Sequence, residues 1–259
     1  MGFSSDWLTL REPADKAARD NGLLQRAVQL AGTHPVVMDL GCGTGSTVRT
    51  LAPFLPDTLS WRLVDNDPEL LEQAQEAAGA QSSSHLIDID RLEQLPLDGV
   101  TLVTASALLD LVTEEWLGRL ATILTVPFYA ALSYNGQMHW NPADSRDAVI
   151  TEAFNRHQRL DKGLGPALGP TSVERAIAVF ESSGFSVHHA ESPWRLGSDS
   201  HELQRSHVEG VAEAAGDAGA DDAKAWGEAR MAQANRTKSV TGHGDLLIIP
   251  PTPTLPVVS

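Results

Sequence analysis

The segment VVMDLGCGTGST, residues 36–47, limits the possible folds more than any other stretch of the chain. An apolar run ends in Asp39, and Gly41, Gly43 and Gly45 follow at every second position. An apolar strand running into a glycine turn and then a helix opens a doubly wound sheet. In such a sheet this turn lies at the carboxyl edge, where ligands bind. Glycine there lets the chain turn tightly and lets a ligand approach the backbone. The alternation continues. SWRLVD (60–65) reads as a second strand, and Asp67 caps a helix opened by Pro68, PELLEQAQEAAG. SHLIDI (84–89) and VTLVTAS (100–106) are a third and fourth strand, the helix TEEWLGRLATIL follows, and FYAALSY (128–134) is a fifth strand. Strands this apolar are buried on both faces, which favours a parallel sheet covered by helices.

The flanks are read more coarsely. Residues 6–32 form one helix by their apolar spacing, and residues 46–55 another that stops before Pro56. Residues 135–170 are polar and aromatic, end in GLGPALGP, and read as an insertion. Then come a helix (SVERAIAVFESSG), a strand (FSVHHAES), a helical stretch at 199–238 with a low-complexity middle, and a last strand, GDLLIIP (244–250). The expected organisation is a single domain over about 1–250, with an N-terminal helical lid at about 1–33 and a loose tail at 251–259.

Bulk properties exclude several classes. Cys42 is the only cysteine, so no intramolecular disulfide forms. The first residues lack a signal-peptide pattern, and no apolar run reaches the roughly 20 residues that span a bilayer. A cytoplasmic, non-membrane protein is expected. The net charge is −15, from 34 acidic against 19 basic residues, and no Lys/Arg cluster breaks it. Such a surface repels phosphate backbones, so nucleic acid is not an expected partner. The nine histidines show no metal-ligand spacing, and no metal is expected.

The glycines are spaced GxGxG, with Ser46 where a dinucleotide fingerprint has its third glycine. Asp65 falls at the tip of the second strand, where a carboxylate can accept both ribose hydroxyls of an adenosine. Here the residues carry a resemblance. VVMDLGCGTG resembles motif I of the class I S-adenosylmethionine-dependent methyltransferases, and LVDNDPELLEQAQ is similar to the segment that follows it in that family. HLIDIDRLEQLPLDGVTLVTASALLDLV resembles the family's adenine-side loop and fourth strand, so the likeness covers residues 35–134. The resemblance implies a Rossmann-like, mostly parallel seven-stranded sheet with helices on both faces, and S-adenosylmethionine as cofactor. It implies that Asp39 organises the glycine loop or reaches the cofactor's amino group through water. Gly41, Cys42, Gly43 and Gly45 would line its methionine and ribose portion. Asp65 would hold the ribose, with Asn66, Asp88 and Ile89 near the adenine and Ala105 and Ser106 beneath. Cys42 reads as buried packing, not as a nucleophile.

Methyl transfer from a sulfonium requires alignment above all. A hydroxyl or neutral amine acceptor adds a need for a base; a carboxylate does not. No NPPY-like tetrad is present, and NPAD at 141–144 comes too late in the chain. The insertion carries Tyr134, Asn135, His139, Trp140, His157, Arg159 and Lys162. In it His139 and Tyr134 are the expected catalytic groups, with Trp140, His157 and Arg159 touching a small-molecule acceptor; the blander reading makes each an ordinary structural residue. Trp7 and Arg11 could close over the cofactor, Arg11 meeting a carboxylate, or belong to a helix packed on the sheet edge. The expected function is a small-molecule methyltransferase. A catalytically silent S-adenosylmethionine-binding partner or scaffold, and an NAD-dependent Rossmann oxidoreductase, stay as alternatives.

Overall fold

The computed structural model describes residues 4–252, so nearly all of the tail expected to be loose lies outside the described residues. Five strands pair in parallel in the spatial order β3-β2-β1-β4-β5: β1 (Val36–Leu40), β2 (Ser60–Asp65), β3 (Ser82–Leu86), β4 (Leu102–Ser106) and β5 (Phe128–Asn141). β6 (Ser186–Glu191) and β7 (Trp194–Leu196) both pair antiparallel with β8 (Lys238–Ile249), which itself lies antiparallel to β5. The sheet has eight strands where seven were expected. The extra one, β7, is three residues long, too short for a periodic signal.

Residues 6–32 form two helices, α1 (Ser5–Ala18) and α2 (Asn21–Ala31), and not one. Asp20 causes the break: its side chain accepts the N–H of Leu23 and caps α2. Downstream lie α3 (Ser46–Leu51), α4 (Pro68–Ala78), α5 (Glu114–Ile123), α6 (Asp147–Gln158), α7 (Ser172–Ser182), α8 (His201–Asp217) and α9 (Ala223–Ala232). Alternation along the strands divides the core. Met38, Val64, Val103, Phe128 and Leu246 pack with Leu117 of α5 and Phe180 of α7. Val37, Leu63, Leu102, Tyr129 and Leu247 face the other way, onto Leu24 of α2, Val48 of α3 and Leu71 of α4. A third core joins Tyr134, Met138 and Trp140 of β5 to Ile150, Val208 and Trp226 on α6, α8 and α9.

That third core corrects the expected insertion. Residues 135–141 are not loop: β5 continues through them, paired with β8. The strand gets there by bending, with register shifts between Ala130 and Ser133 and between Tyr134 and Met138, and with Leu132 left-handed at φ +58°. The bend is held by Asp245 of β8, which is fully buried. Its Oδ1 accepts the Leu132 N–H at 2.9 Å, and its Oδ2 accepts the Asp20 N–H and the Tyr129 hydroxyl, both at 2.9 Å.

Asp245→Ala should therefore lower stability by at least about 2 kcal/mol, since two backbone N–H groups lose their acceptor at ~1–3 kcal/mol each. Urea unfolding of the variant checks this; a loss below about 0.5 kcal/mol would mean that water or another group takes over the role.

Candidate active site

The chain crosses from β1 outward to β2 and β3, then returns to β4 on the other side of β1. This switch point opens a crevice at the carboxyl ends of β1 and β4. A cavity of about 720 Å³ occupies it, within the roughly 300–1,000 Å³ of small-ligand sites. Its walls are α1, the turn after β1, the tip of β2, residues 88 and 89, the turn after β4, and residues 162–164.

The glycine turn is stitched to β2. The Cys42 N–H donates to the Val64 carbonyl at 3.0 Å, and the Gly43 N–H donates to Asp65 Oδ2 at 2.8 Å. Asp65 Oδ1 accepts the Asp67 N–H at 3.1 Å. Each carboxylate oxygen retains a further lone pair. Gly41 and Gly43 are left-handed, at φ +63° and +52°, and a Cβ on Gly43 would stand 3.3 Å from Leu8 Cδ1 of α1. Gly45, also left-handed, has a different role. A Cβ there would lie 3.1 Å from the Ala74 Cα, so this glycine lets α3 and α4 touch and does not line the cavity. The Cys42 thiol is pushed up by burial, with Asp39 and Asp65 adding to the effect; a protonated thiol is no nucleophile.

Asp39 sits beneath the turn, not on the wall. Its Oδ1 accepts the Thr104 hydroxyl at 2.7 Å, while its Oδ2 is buried without a partner. Burial pushes the carboxyl up to about 7, against the opposing Thr104 hydroxyl and Arg19 guanidinium. Arg19, also buried, donates to Ser106 Oγ at 2.8 Å and leaves Nε and Nη1 without partners.

α1 covers the crevice. Glu12 pairs with Arg49 of α3 at 2.5 Å. Arg11 donates twice to Asp15, at 2.8 and 3.2 Å, and lies 5.0 Å over the Trp194 ring. The Trp194 indole N–H donates to Asp15 Oδ1 at 2.8 Å, and Trp7 meets that ring edge-on at 6.3 Å. The helix is thus both a cavity wall and a packed element.

Of the residues expected to hold the cofactor, the wall includes Arg11, Gly41, Cys42, Gly43, Asp65, Asn66, Asp88, Ile89 and Ser106. Ala105 is buried inside β4, and its neighbour Ala107, at φ +51°, lines the cavity instead. The expected catalytic and acceptor residues lie elsewhere. His139 is exposed on β5, opposite Val240. Tyr134 donates its hydroxyl to Asn155 at 2.8 Å, and burial and then Asp110 push its phenol up. Trp140 meets Trp226 edge-to-face with centroids 5.1 Å apart. Arg159 is exposed, and His157 is half-buried on α6. None of these five lines the cavity, because β5 carries its second half away into the third core. The part of the expected insertion that does line it is Lys162, Gly163 and Leu164. Sequence reasoning missed Leu8, Asp15, Thr44, Thr47, Leu108 and Leu111. Only Asp15 had a readable signal, four residues after Arg11 on a helix.

Residues 37–126 match the family model of the methyltransferase domain, which includes the crevice walls from Gly41 to Leu111 but not α1 or residues 162–164. The match supports a class I S-adenosylmethionine-dependent methyltransferase. The enzyme is 29% identical over 210 residues to trans-aconitate 2-methyltransferase of Klebsiella pneumoniae, covering 74% of this chain and 78% of that one. A second relative, trans-aconitate 2-methyltransferase of Streptomyces coelicolor, is 29% identical over 139 residues, which are 50% of this chain and 46% of the relative. The fold matches that of an S-adenosylmethionine-dependent methyltransferase from Geobacter sulfurreducens, solved with S-adenosylhomocysteine. The TM-score is 0.51 at 14% identity, over 97% of this chain and all of the other.

The Asp39 site makes the ligand-free methyltransferase pH-sensitive. The folded carboxyl keeps its proton to about pH 7, whereas the unfolded one releases it near 3.8. Its stabilising contribution is complete below the unfolded value and is lost as pH rises through the folded one. Relative to Asp39→Asn, the wild type should lose stability from pH 4 to 7, by up to roughly 1.4 kcal/mol per unit. Paired urea titrations across that range measure it, and a flat difference would refute an uncharged Asp39.

Proposed function

We propose that this methyltransferase esterifies a small carboxylic acid, with S-adenosylmethionine along the glycine turn and the tip of β2 and the acceptor at the end formed by α1 and residues 162–164. The observation that carries this reading is what the cavity wall offers. Among the described lining residues there is no histidine or tyrosine to take a proton. Asp65 accepts two backbone N–H groups, and Asp15 is held by Arg11 and Trp194. A carboxylate acceptor arrives as its own nucleophile and needs no base. The names of the two trans-aconitate relatives support an acid as acceptor.

The residues fit the cofactor. Asp39 Oδ2, buried and unpartnered beneath the turn, suits an ammonium group reached through water. Asp65 has lone pairs left for ribose hydroxyls, with Asn66, Asp88 and Ile89 placed for the adenine. S-adenosylmethionine supplies a methyl group already activated on a sulfonium. The protein's own part is alignment and water exclusion, and Leu8 of α1, close above Gly43, closes the wall on that side. Charge is zoned to match: Asp65, Asp67, Glu69 and Asp88 gather at the β2 end, Arg11 and Lys162 at the other. Among the described residues no helix is long and apolar enough to cross a membrane. The acidic surface argues for a cytoplasmic enzyme acting on metabolites and not on nucleic acid.

Two measurements test this. Purified enzyme given S-adenosylmethionine and a panel of acids, amines and alcohols should form methyl esters and S-adenosylhomocysteine; transfer confined to amines or alcohols would sink the acid reading. Asp65→Ala should weaken S-adenosylhomocysteine at least about tenfold by calorimetry, since charge-assisted bonds contribute roughly 1.5–3 kcal/mol each. Asp65→Asn should lose less, and unchanged affinity in a folded Ala variant would move the ribose elsewhere.

A further inference from the structure

The cavity wall carries two cations, and they differ in state. Arg11 is committed to Asp15 by two hydrogen bonds. Lys162 forms no ion pair among the described residues. Its Nζ has His157 Nδ1 at 3.5 Å as its polar contact. Burial lowers its pKa, and the charge of Asp110 opposes that. Asp110 Oδ1 is itself buried without a partner. A half-buried ammonium without a carboxylate is an arrangement that an anionic ligand improves.

The loop that carries Lys162 is built to hold it still. Asp161 Oδ1 accepts the N–H groups of Gly163 and Gly165 at 2.7 and 2.9 Å, and Asp161 bridges to Pro166. Gly163 and Gly165 are left-handed, at φ +112° and +103°. The loop's exit is bonded to the turn after β4: the Leu168 N–H donates to the Val112 carbonyl and the Gly169 N–H to the Asp110 carbonyl, both at 2.9 Å. Lys162 is thereby fixed against the same turn that supplies Leu108 and Leu111 to the wall.

We infer that Lys162 is a specificity-determining residue that binds a second, non-reacting carboxylate of the acceptor, so that the enzyme selects di- and polycarboxylic acids over monocarboxylic ones. A cation on the reacting carboxylate would withdraw charge from the nucleophile, so its productive partner is a spare anionic group. Asp161 acts as a positioning residue for the loop. The inference rests on the carboxylate-esterification reading above.

The test compares wild type, Lys162→Met and Lys162→Arg, with trans-aconitate, a saturated dicarboxylic acid and a monocarboxylic acid of matched length as acceptors. Calorimetry with S-adenosylhomocysteine runs alongside as a check on folding and cofactor binding. Lys162→Met should raise KM for the two polyacids by roughly tenfold or more, with kcat changed less. It should leave the monoacid KM and the S-adenosylhomocysteine affinity unchanged, and Lys162→Arg should restore most of the loss. Equal effects on polyacids and monoacid, or no effect on either, would overturn the role of Lys162 while leaving esterification standing. A comparable loss of S-adenosylhomocysteine affinity would overturn it too, by assigning Lys162 to the cofactor. A wild type that methylates no carboxylic acid would overturn both readings together.

Discussion

The enclosed carboxylate of Asp245 is the interaction on which the rest of the structure depends. Three donors from three segments converge on it: the N–H of Asp20 where α1 gives way to α2, the hydroxyl of Tyr129, and the N–H of Leu132. A non-glycine residue in the left-handed region costs about 1–3 kcal/mol, and Leu132 is held there by this bond. The bend it creates divides β5. One half completes the parallel sheet against β4, and the other carries Tyr134, Met138 and Trp140 out to a separate core. The same carboxylate anchors the joint between α1 and α2, and with it the position of the helix that covers the crevice.

Charge inside the crevice is divided between its ends. The surface is strongly acidic, yet one end of the cavity presents Arg11 and Lys162. Arg11 keeps its direction because Asp15 and the Trp194 ring hold it from two sides. His207 and His243 pack on that ring with centroids at 5.6 and 5.1 Å. Burial first, and then the charge of Arg11, pushes them down to about 4 and about 3. Both are therefore neutral at physiological pH and place no second positive charge behind α1. At the opposite end, Asp65 and Asp67 are tied to backbone N–H groups, which keeps them aimed.

The third core gives the Lys162 end of the crevice its footing. Asp147, at the start of α6, accepts the Trp226 indole N–H at 2.8 Å and pairs with Arg230 of α9 at 2.5 Å. α6 is thereby locked to α9, and the loop bearing Lys162 leaves from its C-terminal end. Cofactor and acceptor ends thus rest on different layers. The first is built on strand tips of the parallel sheet; the second rides on helices that the bent half of β5 recruits.

Local chemistry made the cofactor end readable. The alternating glycines, Asp65 at a strand tip and Asp67 before Pro68 each act over a few residues, so their placement followed from the sequence, as did the strand-helix alternation through residue 128. Even there Gly45 was misread, because its constraint is Ala74, a residue on another helix. The acceptor end was not readable. His139 and Trp140 looked like a base beside an acceptor contact because they stand together in a polar, aromatic stretch. In three dimensions that stretch is a strand with alternating faces, and it pairs with residues a hundred positions later. Asp245 gave no sign of its importance, since its three donors are separated from it by 113, 116 and 225 residues. Sequence by itself determined the fold class and the strand tips that line the crevice, through short-range backbone and capping rules, and the cofactor through the motif it resembles. Tertiary structure decided which cations line the crevice, because that depends on how a bent strand and a stapled loop close over the sheet.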